Sequence, residues 1–390
     1  MSTTLKFLFL SRFLWGCGVG LYTYLWPIYI QALGADGRVM AFIFGFEAFL
    51  TTITAIPGGL WADRFERKKL LLIAWIIGSS ATLVYATATN WQQLVVGDIL
   101  YFGAFFCNPI TNSYIAKAAE GNKLSSTFSI SNSAPSMGLI ISPSVGGIIA
   151  DKLGMAAVFY MSFVLFMAST VALTFITPQY PTVEPGSKGT GYLGVLDGLL
   201  SRKVGWFALA TFALTLSQPY LTPFVKIYAN LSLTWVGILG SVLSLGGVTL
   251  THVLGRLSDR VGEDAGYFIG LLLFTVATFP IMIANRLGIP WLAAIFFLRG
   301  AFVACQGVMF SSVAKSLRPE ANGKGFAILN FSLGVSTIGG YYFGGRLFLM
   351  VPDKLFAVSG ILVALVAFRF FRLAGFPPRK AGRFTLRSHG

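Results

Sequence analysis

The stretch Gly59-Leu-Trp-Ala-Asp63-Arg64-Phe-Glu66-Arg67-Lys68-Lys69 places acidic and basic side chains between two long apolar runs. A charged segment this short between apolar runs is typical of a turn at a membrane face. A second copy, Gly255-Arg-Leu-Ser-Asp259-Arg260-Val-Gly262, follows 196 residues later, about half of the 390-residue chain. The repeat predicts a chain made of two related halves.

The composition points to a lipid bilayer as the environment of the chain. Hydrophobic residues make up 55% of the sequence and charged residues only 11%, and the mean hydropathy is +0.74. Soluble proteins carry about a quarter charged residues. Apolar runs of about 20 residues, separated by short polar loops, match helices that cross the hydrocarbon core. We therefore expect an all-α, multi-pass membrane protein rather than a β-barrel, whose strands alternate in shorter segments.

The apolar segments predict twelve transmembrane helices in two pseudo-symmetric six-helix bundles. Their expected positions are 5–32, 39–62, 69–89, 91–117, 125–150, 155–177, 204–229, 234–257, 265–284, 290–315, 325–348 and 355–373. The interval 178–203, rich in Pro and Gly, is expected to be a cytoplasmic linker between an N-terminal bundle (1–177) and a C-terminal bundle (204–373). Residues 374–390 form a basic tail.

Basic residues favour one membrane face. They cluster in alternate loops, among them Arg64 and Lys68 after the second helix, Arg260 after the eighth and Lys315 after the tenth. By the positive-inside rule we expect both termini in the cytoplasm, with the protein in the plasma or inner membrane. The net charge of +15 then reflects topology, and no nucleic-acid partner is expected. Contact with anionic lipid is a lesser alternative.

The cysteines give no sign of a metal or redox site. Cys17, Cys107 and Cys305 all lie within apolar runs and are too few and too separated for a metal cage or a disulfide framework. We expect them to pack as small apolar side chains, and we expect no metal and no cofactor. No convincing catalytic cluster is present, so the chain is not expected to be an enzyme.

With these features the chain resembles a twelve-helix member of the major facilitator superfamily, in its drug/proton antiporter branch. The family's loop signature between helices 2 and 3 is Gly-x-x-x-Asp-Arg/Lys-x-Gly-Arg/Lys-Arg/Lys. It is met by Gly59, Asp63, Arg64, Arg67 and Lys68, with Glu66 where the second Gly is usual. Gly255, Asp259 and Arg260 repeat part of it in the second half.

We expect this pair of loops to act as gates. Gly59 lets helix backbones approach, Asp63 can cap the N-terminus of a helix of the other bundle, and the bases hold the loop at the lipid surface. Such contacts exist only when the cytoplasmic side is closed, so they favour the outward-facing state. The alternative is a loop that only anchors the topology.

The fifth helix carries a second signature. The segment Gly138-Leu-Ile-Ile-Ser142-Pro143-Ser-Val-Gly146-Gly147 is similar to the family's antiporter pattern Gly-x-x-x-Gly-Pro-x-x-Gly-Gly, with Ser142 where Gly is usual. Small residues permit close helix packing, and Pro143 frees a carbonyl and bends the helix. The resemblance implies exchange of substrate for protons. A tight-packing helix of any transporter is the alternative.

Charges inside the spans are costly and therefore point to chemistry. Glu47, Asp98 and Arg299 share one expected depth, about 10–14 Å below the outer surface at about 1.5 Å per residue. We expect Asp98 and Glu47 to couple transport to protons, because apolar surroundings disfavour a charged carboxylate. Arg299 is expected to be their counter-ion or a substrate contact. The alternative is a static buried pair or side chains that reach the outer interface.

In the family, helices 1, 4, 7 and 10 line a central cavity, so the resemblance implies that Asp98 and Arg299 face each other across it. The family usually has Arg near position 98, so the sign of the charge is reversed here. Polar and aromatic residues at cavity depth are further candidate substrate contacts, although aromatics at helical spacing are usually packing residues. They are Tyr22, Tyr24, Asn108, Gln218, Tyr220 and Gln306.

The sequence therefore predicts a secondary transporter that works by alternating access. We expect proton-coupled export of small amphipathic or drug-like molecules by a monomer, with the small-molecule substrate, protons or another coupling ion, and the lipid bilayer as its partners. One alternative is a transporter of a specific metabolite, sugar, organic acid or metal ion. A second, from another class, is a membrane receptor or scaffold that does not transport.

Overall fold

The computed structural model describes residues 3–118, 124–180, 198–316 and 322–374, and every regular element in these ranges is helical. The first half contains α1 (Thr3–Thr23), α2 (Trp26–Ala32), α3 (Gly37–Ala62), α4 (Arg67–Thr87), α5 (Trp91–Gly103), α6 (Cys107–Ala118), α7 (Leu124–Leu153) and α8 (Met155–Thr174). The second half contains α9 (Gly198–Thr215), α10 (Leu221–Tyr228), α11 (Leu233–Val261), α12 (Glu263–Thr278), α13 (Ile289–Arg299), α14 (Ala301–Ser316), α15 (Asn322–Met350) and α16 (Pro352–Ala374). The 3₁₀ segments Ala104–Phe106 and Phe279–Arg286 continue α5 and α12.

These helices form twelve spans, six in each half. Ten stretches of the described chain are long and apolar enough to cross a bilayer, and the interrupted pair α9–α10 and the glycine-rich α15 complete the set. The prediction of an all-α protein with twelve transmembrane helices in two bundles is confirmed. Residues 181–197 of the predicted linker and 375–390 of the predicted tail lie outside the described part of the chain.

Four spans are interrupted between two α-helices, and they are the first, fourth, seventh and tenth. The sequence prediction treated them as continuous. Proline explains three of the breaks, because its ring clashes with the carbonyl four residues earlier: Pro27 follows the first break, Pro109 the second, and Pro219 lies within the third. Irregular backbone within a membrane is tolerated where it is buried in protein or lines a cavity, so the four breaks are expected to face the interior of the molecule.

The fourth break falls at Gly300, between α13 and α14. A Cβ at this position would overlap the backbone of Gly246 and Gly247 on α11. Glycine is therefore needed here for close approach of two helices rather than for an unusual turn.

The hydrophobic core is shared by the two halves toward one end of the molecule. We call the end where α1 begins and α3 ends the terminal face, and the end where α3 begins the distal face. One core cluster, toward the distal face, joins side chains of both halves, such as Phe159 and Phe224. Toward the terminal face the core continues as two separate clusters, one in each half. The halves are thus packed together distally and separated terminally.

Hydrogen bonds between the halves lie along the same distal seam. The Ser144 hydroxyl on α7 donates to Ser241 Oγ on α11 at 2.7 Å, and the hydroxyls of Tyr24 and Ser244 are 2.8 Å apart. On the other side of the molecule, a Cβ at Gly345 of α15 would overlap the carbonyl oxygen of Gly37 on α3. The described chain is therefore closed at the distal face and open at the terminal face.

Candidate functional site

A cavity of about 350 Å³ lies between the two halves, where α1 gives way to α2 and α9 to α10. Half of its lining residues are aromatic, and the walls come from both halves, for example Tyr22 and Tyr101 on one side and Tyr341 on the other. Among the described residues the charged member of the wall is Glu47. A concave, mostly apolar site with few polar groups is the usual form of a small-molecule site.

Glu47 is held in the wall by the break in the first span. It lies ten residues after the start of α3 at Gly37, and its side chain is half-buried. Trp26 begins α2 immediately after the break, and its indole Nε1 donates to Glu47 Oε1 at 2.8 Å. This bond uses one carboxylate oxygen and leaves the other for the cavity.

Asp98 lies one side chain behind the wall. It is fully buried, and its Oδ1 accepts a hydrogen bond of 2.8 Å from the hydroxyl of Tyr85, a residue of the wall. Its Oδ2 has no hydrogen-bond partner among the described residues. A Cβ at Gly97 would overlap the Tyr85 ring, so the glycine lets this ring pack against α5 and reach Asp98.

Tyr85 also connects the two carboxylates through ring contacts. Its centroid lies 4.7 Å from that of Trp26, the donor to Glu47. Glu47, Trp26, Tyr85 and Asp98 therefore form one continuous group, which we call the acidic cluster. It belongs entirely to the first half of the chain.

Arg299 is on the opposite side of the cavity, buried in the second half. It is fully buried, and its guanidinium donates to Thr278 Oγ1 at 3.0 Å, to Gln218 Oε1 at 2.9 Å and to Ser217 Oγ at 3.4 Å. The guanidinium carbon also lies 4.3 Å from the ring centroid of Phe274. No carboxylate of the described chain lies within 4 Å of it.

The expectation that Asp98 and Arg299 face each other across the cavity is wrong. Neither lines the cavity, since Tyr85 covers the first and Gln218 covers the second. Asp98 lies seven residues after the start of its helix at Trp91, and Arg299 ten after the start of its helix at Ile289, similar to the ten residues that separate Glu47 from Gly37. Of the three charged residues, Glu47 reaches the cavity, although its helix was not among those expected to line the cavity.

The other candidate substrate contacts are divided among three places. Tyr22, Tyr24 and Gln218 line the central cavity. Tyr220 is fully buried outside the wall and donates to the carbonyl oxygen of Tyr341 at 2.9 Å. Gln306 is exposed and lines neither this cavity nor the next one described, because it lies on α14, beyond the break at Gly300.

Asn108 lines a second cavity, of about 270 Å³, within the first half. Val19, Tyr101 and Phe105 belong to both cavities, so together they form one path along α1 toward the terminal face. Arg12 lines the second cavity, and its Nη1 donates to Ser131 Oγ at 3.0 Å. Sequence reasoning missed Arg12 as part of this path. Its position within an apolar helix was the available signal.

The first gate loop is fastened to its own half. Arg67 is buried and donates from Nε to the Ala62 carbonyl at 3.2 Å and from Nη1 to Gln179 Oε1 at 3.4 Å, and Lys68 Nζ donates to the Thr174 carbonyl at 2.6 Å. Glu66 pairs with Lys69 at 2.9 Å. Because Gln179 is docked here, the start of the predicted linker at 178 packs against the first bundle.

Other residues of the two gate loops, Asp259 excepted, reach into open space. Asp63 and Arg64 are exposed, and no hydrogen bond or ion pair of either side chain joins them to the described chain. A Cβ at Gly59 or Gly255 would meet nothing within 4 Å, and Arg260 is exposed.

The second gate loop forms ion pairs inside its own half. Asp259 Oδ1 lies 3.8 Å from Lys315 Nζ, and Lys315 also hydrogen bonds to Glu263. The hydrogen bond and the charge of Glu263 raise the pKa of Lys315. Asp259 is thus engaged at the end of α11 rather than with the first bundle.

The helix-5 signature lies where α7 packs against two other helices. A Cβ at Gly138 would lie 2.5 Å from the backbone nitrogen of Cys17, and one at Gly146 would overlap the Leu21 carbonyl, both on α1. Gly147 faces the other half, where its Cβ would lie 2.5 Å from the Leu233 carbonyl. The small side chains therefore allow close approach within and between the halves.

The two non-glycine positions of the signature are also accommodated. Ser142 donates to the Gly138 carbonyl at 2.7 Å and faces Gly20 on α1, where a Cβ would overlap its hydroxyl. The Pro143 carbonyl faces Gly237 on α11, again at a distance that leaves no room for a Cβ.

The two six-helix bundles and the cavity between them define a membrane transporter. The model of the Major Facilitator Superfamily matches residues 8–231 and again 204–388, and the chain belongs to this family. It is 24% identical over 370 residues to an uncharacterised transporter of the family from Methanocaldococcus jannaschii, covering 90% of this chain and 94% of that one. It is 28% identical over 309 residues to the multidrug resistance protein MdtG of Enterobacter lignolyticus, covering 74% and 72%.

A solved structure gives the same fold. The crystal structure of the nucleoside transporter NupG superposes with a TM-score of 0.76, covering 96% of this chain and all of the other, at 13% sequence identity. The resemblance of the chain to the drug-antiporter branch is supported by its multidrug relatives.

Proposed function

We propose that this transporter exports small amphipathic cations in exchange for protons, by alternating access. The observation that carries the proposal is the position of Glu47, a carboxylate in a cavity wall made largely of aromatic rings. A carboxylate attracts a cation or takes up a proton, and aromatic faces attract both apolar groups and cations. A substrate cation and a proton would then compete for the same oxygen atoms.

The acidic cluster supports the coupling step. Asp98 is fully buried with one oxygen unpartnered among the described residues, and Tyr85 connects it to the cavity wall. A buried carboxylate without a nearby cation favours its neutral form. It gives up its proton only when a proton acceptor comes within reach. We propose that Glu47 and Asp98 hold the coupling protons and that substrate entry drives their release.

The distribution of basic residues supports the direction of the proposed cycle. Within the described part of the chain, basic residues are concentrated at the terminal face. Arg64, Lys68, Arg260 and Lys315 lie there, whereas the distal face has fewer basic residues, such as Arg38 and Lys152. By the positive-inside rule the terminal face is cytoplasmic and the protein sits in the plasma or inner membrane. The conformation described is then the inward-open one, in which an exporter loads its substrate.

The gate loops fit the same cycle. With the terminal face open, Asp63 has no helix to cap, and closing that face would bring the second bundle toward it. We propose that Asp63 and Asp259 stabilise the outward-open state through such contacts. The helix-5 signature would stabilise the opposite state by sealing the distal seam.

A transporter of organic anions receives less support from the geometry. Arg299, the buried cation of this region, lies behind Gln218 and does not line the cavity. The multidrug resistance proteins among the relatives agree better with a range of drug-like substrates than with one defined metabolite.

Transport in reconstituted vesicles tests the proposal. With an imposed pH difference, wild-type vesicles should accumulate a fluorescent aromatic cation, and adding the cation should release protons on the side from which the cation is taken up. Glu47→Gln should abolish the proton signal and lower transport by at least about tenfold, as expected for loss of a general acid–base or charge contact. Asp353→Asn, an exposed carboxylate at the start of α16, is the matched control.

The outcomes separate the alternatives. Cation-dependent proton release that survives Glu47→Gln would contradict the coupling role of Glu47. No cation-dependent flux in correctly folded wild-type protein would contradict the proposed function and favour a receptor or scaffold.

A further inference from the structure

Arg299 determines how the polar groups are oriented in the wall of the central cavity opposite the acidic cluster. Its guanidinium donates to three neutral acceptors, the oxygens of Thr278, Ser217 and Gln218, and the described chain places no carboxylate beside it. Guanidinium has five donors and no acceptor. Every neighbour that bonds to it must therefore turn an oxygen toward it.

This requirement fixes the orientation of the Gln218 side chain. Its Oε1 accepts from Arg299 Nη2 at 2.9 Å, so its amide –NH₂ points away from the guanidinium. Gln218 is half-buried between the buried residues Ser217 and Pro219, and it lines the cavity. The described residues offer no hydrogen-bond partner for this –NH₂ group. Gln218 thus presents a donor to the cavity.

The two walls of the cavity consequently differ in polarity. Glu47 contributes a carboxylate oxygen on the side of the first half, with Asp98 behind it. Gln218 contributes a donor on the side of the second half, with the Arg299 charge behind it. A substrate with a cationic group at one end and a hydrogen-bond acceptor at the other would satisfy both walls.

We propose that Gln218, oriented by Arg299, selects substrates by a hydrogen-bond acceptor, so that the cavity takes amphipathic amines that carry a carbonyl or ether oxygen. Gln218 is the specificity residue and Arg299 its positioning residue. This inference rests on the proposed function, which supplies the cation at Glu47, and it adds the requirement at the opposite end of the molecule.

Two matched probes test the inference. One is an aryl-alkyl tertiary amine with a ketone at the end distant from the nitrogen, and the other is its analogue with a methylene group in place of the carbonyl. Binding of each to the purified full-length protein is measured by calorimetry. The wild type should bind the ketone more tightly by about twofold to thirteenfold, the range of one net hydrogen bond.

Gln218→Glu tests the selection of the ketone without disturbing the fold. The new carboxylate keeps the contact with Arg299 and nearly the same shape, but it has no donor for the cavity. The preference for the ketone should fall to unity or reverse, with the methylene probe still bound. Gln92→Glu makes the same change at an exposed site on α5 and should leave the ratio unaltered.

Arg299 is tested through the same ratio. Arg299→Lys retains a donor toward Gln218 and should keep part of the preference, whereas Arg299→Gln lets the amide turn and should remove most of it. A ketone preference that Gln218→Glu leaves intact would overturn the inference while leaving the proposed function standing. Failure of the wild type to bind either amine would overturn both.

Discussion

Asp151 on α7 accepts hydrogen bonds from the backbone amides of Leu233 at 3.0 Å and Thr234 at 2.7 Å, at the start of α11 in the other half. Each carboxylate oxygen takes one amide, so the side chain caps a helix to which it has no direct connection in sequence. The positive end of a helix stabilises a carboxylate in this position. Asp151 thus forms a bond that exists only while the distal face is closed.

Asp151→Ala should shift the protein away from the distal-closed state. Loss of a helix cap costs about 1 kcal/mol, which corresponds to about a fivefold change in the ratio of the two states. The measurement is the distance distribution between spin labels placed on α7 and α11 at the distal face. Asp36→Ala is the control, because Asp36 caps α3 within its own half at the same face. An unchanged distribution in the Asp151 variant would contradict the role of this cap.

The glycine contact beside Asp151 should be sensitive to one added methyl group. Gly237→Ala would place a Cβ against the Pro143 carbonyl of the other half. Overpacking of this kind costs about 1–3 kcal/mol, all of it in the distal-closed state. We expect the inward-open population and the affinity measured from the terminal face to fall.

Gly205→Ala is the matched control for the same substitution, since a Cβ at this exposed position in α9 meets nothing within 4 Å. Labelling of an introduced cysteine near the distal end of α11 reports the opening. If the Gly237 variant is labelled no faster than the Gly205 variant, the seam is not a limiting contact.

Asp63→Asn should separate gating from folding. The Asp63 side chain is exposed and forms no hydrogen bond or ion pair with the described chain in the terminal-open state, so the thermal stability of this state should not change. Transport should fall several-fold, because a charge at a helix terminus contributes about 0.3–2 kcal/mol to the state that contains it. Near wild-type transport by a correctly inserted variant would contradict the gating proposal and favour a loop that only anchors the topology.

The sequence was sufficient for the fold because hydropathy and repeat spacing are properties of the chain alone. Run lengths predicted twelve helices, and residue counting placed Glu47, Asp98 and Arg299 at one depth. The breaks in the first, fourth and seventh spans had a readable signal in Pro27, Pro109 and Pro219.

The candidate site was less predictable because it depends on contacts between helices. Helical spacing places Asp98 on the same face as Tyr101 and Phe102, which do line the cavity. Tyr85 of another helix covers Asp98, and that contact depends on the absence of a side chain at Gly97. The burial of Arg299 behind Gln218 likewise arises from packing of α12 and α13 against the break between α9 and α10.

Tyr85→Phe tests whether Asp98 acts through the cavity wall. The change removes the hydroxyl that donates to Asp98 Oδ1 at 2.8 Å and keeps the ring that packs on Trp26. Because the other oxygen is already unpartnered in the described chain, the charged form of Asp98 would have no donor there to stabilise it. We expect proton-coupled exchange to slow by about tenfold or more, with binding of the aromatic cation at Glu47 little changed.

Tyr29→Phe is the control, since the Tyr29 hydroxyl donates at 2.7 Å to the backbone carbonyl of Tyr85 and to no carboxylate. Equal slowing in both variants would mean that the hydroxyls only support packing, whereas slowing confined to Tyr85→Phe would place Asp98 in the path of the coupling proton.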